Sequence, residues 1–80
     1  GRLLMSYGYR RRPFGNQARI SKDHGKTWGE PITISGDGAN GDLGYPSTIE
    51  LPDSTLLTAW YEQLSGNSRA VLRLAKWSLL

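Results

Sequence analysis

Turn-forming residues interrupt this chain at short intervals. Pro13-Phe14-Gly15-Asn16, Asp37-Gly38-Ala39-Asn40-Gly41-Asp42, Pro52-Asp53-Ser54 and Ser65-Gly66-Asn67 break it into brief runs rich in β-branched, aromatic and alternating apolar residues. Runs of that length suit strands, whereas a core helix needs a longer apolar stripe of period 3.6. Only the last run, ending in AVLRLAKWSLL, could also be read as a helix. Val71, Leu72 and Trp77 continue the same meander of short strands, and the expectation there is a strand. The pattern therefore predicts an all-β chain with strands near 2–10, 16–21, 31–35, 46–51, 55–63 and 68–77. They should form two antiparallel three-stranded sheets, with no helix longer than a turn.

Eighty residues suffice for one small domain, but a chain of this size buries only about 60% of the surface its unfolded form exposes. There is no cysteine to form a disulfide and no Cys/His cluster to hold a structural zinc. No run approaches the roughly 18 apolar residues of a membrane span, and the first residues do not read as a signal peptide. The chain opens on Gly1 rather than methionine, and the expectation is that a segment lies upstream. A weak internal repeat points the same way. Gly1-Arg2-Leu3-Leu4-Met5-Ser6-Tyr7 parallels Asp53-Ser54-Thr55-Leu56-Leu57-Thr58-Ala59-Trp60-Tyr61, each a turn followed by Leu-Leu, a small polar residue and an aromatic. Ile49-Glu50-Leu51-Pro52 precedes the second copy, so a strand is expected before the first.

Between two of the runs lies Ser21-Lys22-Asp23-His24-Gly25-Lys26-Thr27-Trp28. A solvated loop normally dispenses with tryptophan, because exposing so large a ring forfeits its burial. Asp23 can accept hydrogen bonds from backbone N–H groups of its own turn, and Gly25 can take a positive φ. Trp28 is then expected to fold back as an apolar plug that fastens the turn. A calcium loop is the rival reading, but it needs several oxygen ligands at alternate positions, and only Asp23 stands before Gly25. No metal or cofactor is expected, and His24 reads as an exposed turn residue. The stretch matches the Asp-box, Ser-x-Asp-x-Gly-x-Thr-Trp, at Ser21, Asp23, Gly25, Thr27 and Trp28. That motif is a turn between the outer strands of a β-propeller blade.

Asp42 to Glu62, DLGYPSTIELPDSTLLTAWYE, resembles the C-terminal catalytic segment of the sialidase (neuraminidase) superfamily. There a Tyr-Ser or Tyr-Pro-Ser precedes a strand, a Leu-Pro-Asp-Gly turn and a strand ending in Tyr-Glu; this chain has Ser54 in place of the glycine. The resemblance implies a six-bladed propeller, of which the chain would hold about two blades: residues 1–41 an incomplete blade with the Asp-box at 21–28, and residues 42–80 the last blade. It implies that Tyr45 is a nucleophile, that Arg10, with Arg12 second, helps clamp an anionic sugar, and that the glutamate base lies in an earlier blade. Gln17 stands where an arginine is often found. By resemblance alone, the partners would be a glycan and the remaining blades, and the location extracytoplasmic.

Other readings of the same residues stay open. The triplet Arg10-Arg11-Arg12 reads equally as a solvated hairpin tip. With the formal net charge of +3 and Tyr7, Tyr9 and Phe14 nearby, it would also permit phosphate contact. Seven acidic residues are interspersed and no nucleic-acid motif is present, so no nucleic-acid partner is expected. Asp42, beside Tyr45, is the carboxylate to test as a binding group, whereas Asp53 reads as a turn residue. Two classes of function remain, a sialidase-type glycoside hydrolase and a non-catalytic propeller that binds glycan or protein.

Overall fold

A computed structural model describes residues 2–63 and 69–79. Six strands follow one another, β1 Leu3–Tyr9, β2 Phe14–Ser21, β3 Ile32–Gly38, β4 Leu43–Glu50, β5 Leu56–Gln63 and β6 Ala70–Trp77. They form two antiparallel three-stranded sheets, β1-β2-β3 and β4-β5-β6. No helix occurs among the described residues, and none is therefore long and apolar enough to cross a membrane. The last run is a strand from Ala70 onward. The residue at 68 and the turn at 65–67 lie outside the described residues.

Three boundaries differ from those the turn residues suggested. Phe14 and Gly15 belong to β2 rather than to a turn, β3 runs on to Gly38, and β4 begins at Leu43. The reason is cross-strand pairing. Phe14 stands opposite Gly38 and Asn16 opposite Ser35, with a shift of register on each side of Asn16. A Cβ on Gly15 would collide with the Ser35 carbonyl oxygen, so the bulge exists only because that position has no side chain.

The two sheets meet face to face, with β1 packed against β4. Along β5 burial alternates strictly, Leu56, Thr58, Trp60 and Glu62 pointing toward the first sheet. Among the described residues, Ala18, Leu43, Leu56 and Trp60 are the buried apolar ones, joined by the buried polar Asn16, Ser21, Thr58 and Glu62. So small and polar a core depends on hydrogen bonds as much as on apolar area. Trp77 Nε1 donates to Thr58 Oγ1 at 2.9 Å, Thr58 shares a 2.8 Å hydroxyl contact with Thr48, and Thr48 donates to Ser6 Oγ across the sheet boundary at 3.1 Å. A second tie runs through Arg73, whose Nη1 bonds Glu62 at 3.1 Å and, across the boundary, Asp37 at 2.8 Å.

The turn after β2 is closed by its own side chains. Ser21 Oγ donates to Asp23 Oδ1 at 2.8 Å and accepts the Gly25 N–H at 2.7 Å. Asp23 also accepts the Thr27 N–H at 2.9 Å and the Thr27 hydroxyl. Gly25 and His24 both take positive φ, 90° and 61°, and His24 is exposed. Trp28 corrects one expectation. Its ring reaches the Gly25 backbone, but the side chain is half-buried. It forms one wall of an open depression shared with Ile20, Thr27 and Ile32, not a sealed plug.

Candidate functional site

Strand β4 opens with an irregularity that shapes the surface around it. Gly44 stands opposite Tyr61 and Ser47 opposite Ala59, so Tyr45 and Pro46 together face the single residue Trp60. Gly44 has φ of 127° and Tyr45 of 47°. Left-handed backbone is easy for Gly44 and costs a bulky residue about 1–2 kcal/mol. The bulge re-aims Tyr45 outward, leaving it 78% exposed. The glycine serves a second purpose. A Cβ on Gly8 would lie 3.1 Å from the Gly44 Cα, so two facing glycines let the sheets approach closely here.

Three neighbours define the position of Tyr45. Arg10, just past the end of β1, reaches over from the first sheet and donates from Nε to the Leu43 carbonyl at 3.2 Å. Its guanidinium carbon lies 5.5 Å from the centre of the Tyr45 ring, a cation–π distance. Tyr61 stacks on Tyr45 with ring centres 5.7 Å apart and planes 18° from parallel. The Tyr61 hydroxyl donates to Asp42 Oδ1 at 3.0 Å. That hydrogen bond, which favours the protonated phenol as donor, is the main reason the Tyr61 pKa is raised; Arg10 opposes it.

Asp42 is itself held by the chain around it. Its N–H donates to Asn40 Oδ1 at 2.8 Å, and its carbonyl accepts the Gln63 N–H at 3.2 Å. Asn40 Nδ2 in turn donates to Gln63 Oε1 at 3.1 Å. The loop between the sheets is thereby pinned to the end of β5, which fixes the carboxylate beside the tyrosine pair.

Of the residues singled out from the sequence, the fold brings together Arg10, Asp42 and Tyr45. Arg12 goes elsewhere and lines a separate depression with Pro13, Phe14, Gly38 and Ala39. Ser21, Asp23, Gly25, Thr27 and Trp28 form the turn at the far end of β2, where Asp23 is committed to its own turn. Its pKa is lowered to about 2, chiefly by the Thr27 hydroxyl, then the Thr27 N–H and Ser21. Among the described residues no group of three His, Cys, Asp or Glu side chains is placed to hold a metal ion. Glu62 is buried, receiving the Trp60 indole N–H at 2.7 Å and Arg73 at 3.1 Å.

Tyr61, Asn40 and Gln63 are the site residues that sequence reasoning missed. A signal was available for Tyr61. Counting both arms of the hairpin outward from Pro52-Asp53-Ser54 puts Tyr61 opposite residues 44–45, and its period places it on the half-buried face of β5, away from the core. Chemically the cluster is one cation, one carboxylate and two phenols on an open surface. A guanidinium can fork onto an anionic group, a carboxylate can accept a sugar hydroxyl, and an exposed phenol can bond to or attack a bound ring. Compared with models of known families, with characterised proteins and with solved structures, the chain matches none.

Proposed function

We propose that this chain is the C-terminal part of a sialidase-type glycoside hydrolase, a six-bladed β-propeller acting on a terminal anionic sugar, with Tyr45 as the nucleophile. The convergence of Arg10 and Asp42 on an outward-facing Tyr45, from positions more than thirty residues apart in the chain, is the observation that carries the reading. The chemistry suits an anionic sugar. A carboxylate nucleophile would be repelled by the carboxylate on the anomeric carbon, whereas a phenol approaches neutral and becomes charged only as it attacks. Arg10 supplies one fork for the substrate carboxylate, and Asp42 an acceptor for a ring hydroxyl. The base, the proton donor and the other arginines come from the remaining blades. In this reading Ser21–Trp28 is an Asp-box, a structural turn remote from the chemistry.

A second reading is favoured by one feature. An exposed Tyr45 stacked on a half-buried Tyr61 forms an aromatic surface of the kind that binds sugars without chemistry, and a propeller that only binds glycan would use it so. The deciding experiment measures the full-length protein on a fluorogenic aryl sialoside and a panel of neutral glycosides. Tyr45→Phe should reduce kcat by at least about 100-fold, and Arg10→Lys should raise KM. The 80 residues alone should show no turnover. A fully active Tyr45→Phe enzyme refutes the nucleophile assignment. Sialoglycan binding that depends on Tyr45, without turnover of any glycoside, establishes the second reading.

A further inference from the structure

We propose that Tyr61 is the positioning residue of this site, stacked on Tyr45 and anchored through its hydroxyl to Asp42, so that it sets the ring orientation of Tyr45 and leaves Tyr45 as the phenol free to react. The inference rests on the hydrolase reading for its kinetic consequences, but its geometry stands by itself. Tyr45 lies on a two-residue bulge in left-handed backbone, a conformation that does not by itself fix an exposed side chain. Something outside β4 has to hold the ring. Tyr61 sits on the regular strand β5, paired on both sides, opposite Gly44 of β4 and Leu72 of β6. It is therefore the rigid partner of the pair.

The anchoring continues beyond Tyr61. Its hydroxyl is fixed by Asp42, and Asp42 by Asn40 and Gln63. Three of these links join the end of β5 to the loop between the sheets and the fourth closes the loop on itself, so the orientation of Tyr45 is decided by where the two sheets meet. Electrostatics adds a division of labour between the phenols. The charged or titratable groups facing Tyr61 are Asp42 on that loop, Arg10 after β1 and Tyr45 on β4, while its β6 neighbour Leu72 is apolar. Two stacked phenols cannot both ionise cheaply, because the second phenolate would form beside the first. The Asp42 carboxylate holds the proton on Tyr61. Charge can then develop on Tyr45, which has Arg10 over its ring.

The test uses the full-length protein with ring-labelled tyrosine. Three variants divide the two contacts: Tyr61→Phe keeps the stack and loses the anchor, Asp42→Asn weakens the anchor, and Tyr61→Leu loses both. Tyr61→Leu should lower kcat by about 10- to 100-fold with KM changed less than about threefold, as expected for a misplaced reacting group. Tyr61→Phe should lie between it and the parent. The phenol carbon of Tyr61, identified by its loss in Tyr61→Phe, should titrate above its ordinary range, and Asp42→Asn should bring it down. Tyr45 ring protons should shift in Tyr61→Leu as the stacked ring current disappears. Unchanged kcat together with unchanged Tyr45 ring signals in Tyr61→Leu overturns the proposal. If Tyr45→Phe proves fully active, the hydrolase reading fails. The Tyr45 ring signals in Tyr61→Leu then decide the positioning role alone, a shift supporting it and no shift overturning it.

Discussion

Replacing Arg73 by methionine removes the cation paired with a buried carboxylate while keeping an unbranched apolar stem over Trp60. Glu62 is 1% exposed, and its Oε1 receives both the Trp60 N–H and Arg73. Its Oε2 has no partner among the described residues. Without Arg73 the carboxylate is left with one hydrogen bond in an interior that cannot solvate it. Breaking a fully buried pair in this way costs about 3–5 kcal/mol. Arg73 is 36% exposed, so water can reach part of the vacated space, and the expected loss is about 2–3 kcal/mol. Asp37, the other partner of Arg73, is 67% exposed, and Asp37→Asn should cost no more than about 0.5–1 kcal/mol. Arg73→Met should therefore lower the melting point clearly, and about two to six times as far as Asp37→Asn. Urea titration supplies the free energies, with an unchanged m-value required for the comparison. The double variant Arg73→Met/Glu62→Gln should be less destabilised than the two single losses combined, because removing the charge also removes the penalty. A loss within about 0.5 kcal/mol for Arg73→Met, or an equal loss for Asp37→Asn, would show that Glu62 does not depend on Arg73 for its burial.

Acid should loosen two turns in a defined window. Asp23 and Asp53 are held at about 2 against an ordinary 3.8, chiefly by the hydroxyls of Thr27 and Thr55. Their contribution is complete above the unfolded value and is lost as pH falls through about 2, and Thr27→Val or Thr55→Val should move the loss up toward 3.8 in carboxyl-detected titrations. Ser54 has φ of 68° at an exposed hairpin turn, so Ser54→Gly should raise stability by up to about 1 kcal/mol in the same urea assay. Trp28→Ala should cost about 1–2 kcal/mol, below the 3–5 of a fully buried ring, because Trp28 is half-buried; a loss in the upper range would show the ring to be sealed in solution. Gly15→Ala should disrupt the bulge between β2 and β3, since its Cβ would meet the Ser35 carbonyl, and amide exchange in β3 should rise.

The sequence by itself determined what closes over a few residues. Pro52-Asp53-Ser54 turns back with Asp53 bonding Thr55, and Ser21–Trp28 closes through Ser21, Asp23 and Thr27. Alternating apolar residues also placed six strands, since a period of two reads directly as one face in and one face out. Tertiary structure decided everything that depends on register and on contact between the sheets. It drew Phe14 and Gly15 into β2, because pairing with β1 and β3 outweighed the turn preference of that stretch. It left Trp28 half-open, enclosed Glu62 between Trp60 and Arg73, and sent Arg12 away from the tyrosines while carrying Arg10 to them. It also supplied the stacking of Tyr61 on Tyr45, since hairpin counting brings the two residues near each other but the bulge decides how their rings meet. A local window fixes which face a side chain points toward, but which residue it then meets depends on how two sheets slide and stack, and that is settled by glycine contacts and bulges far apart in the chain.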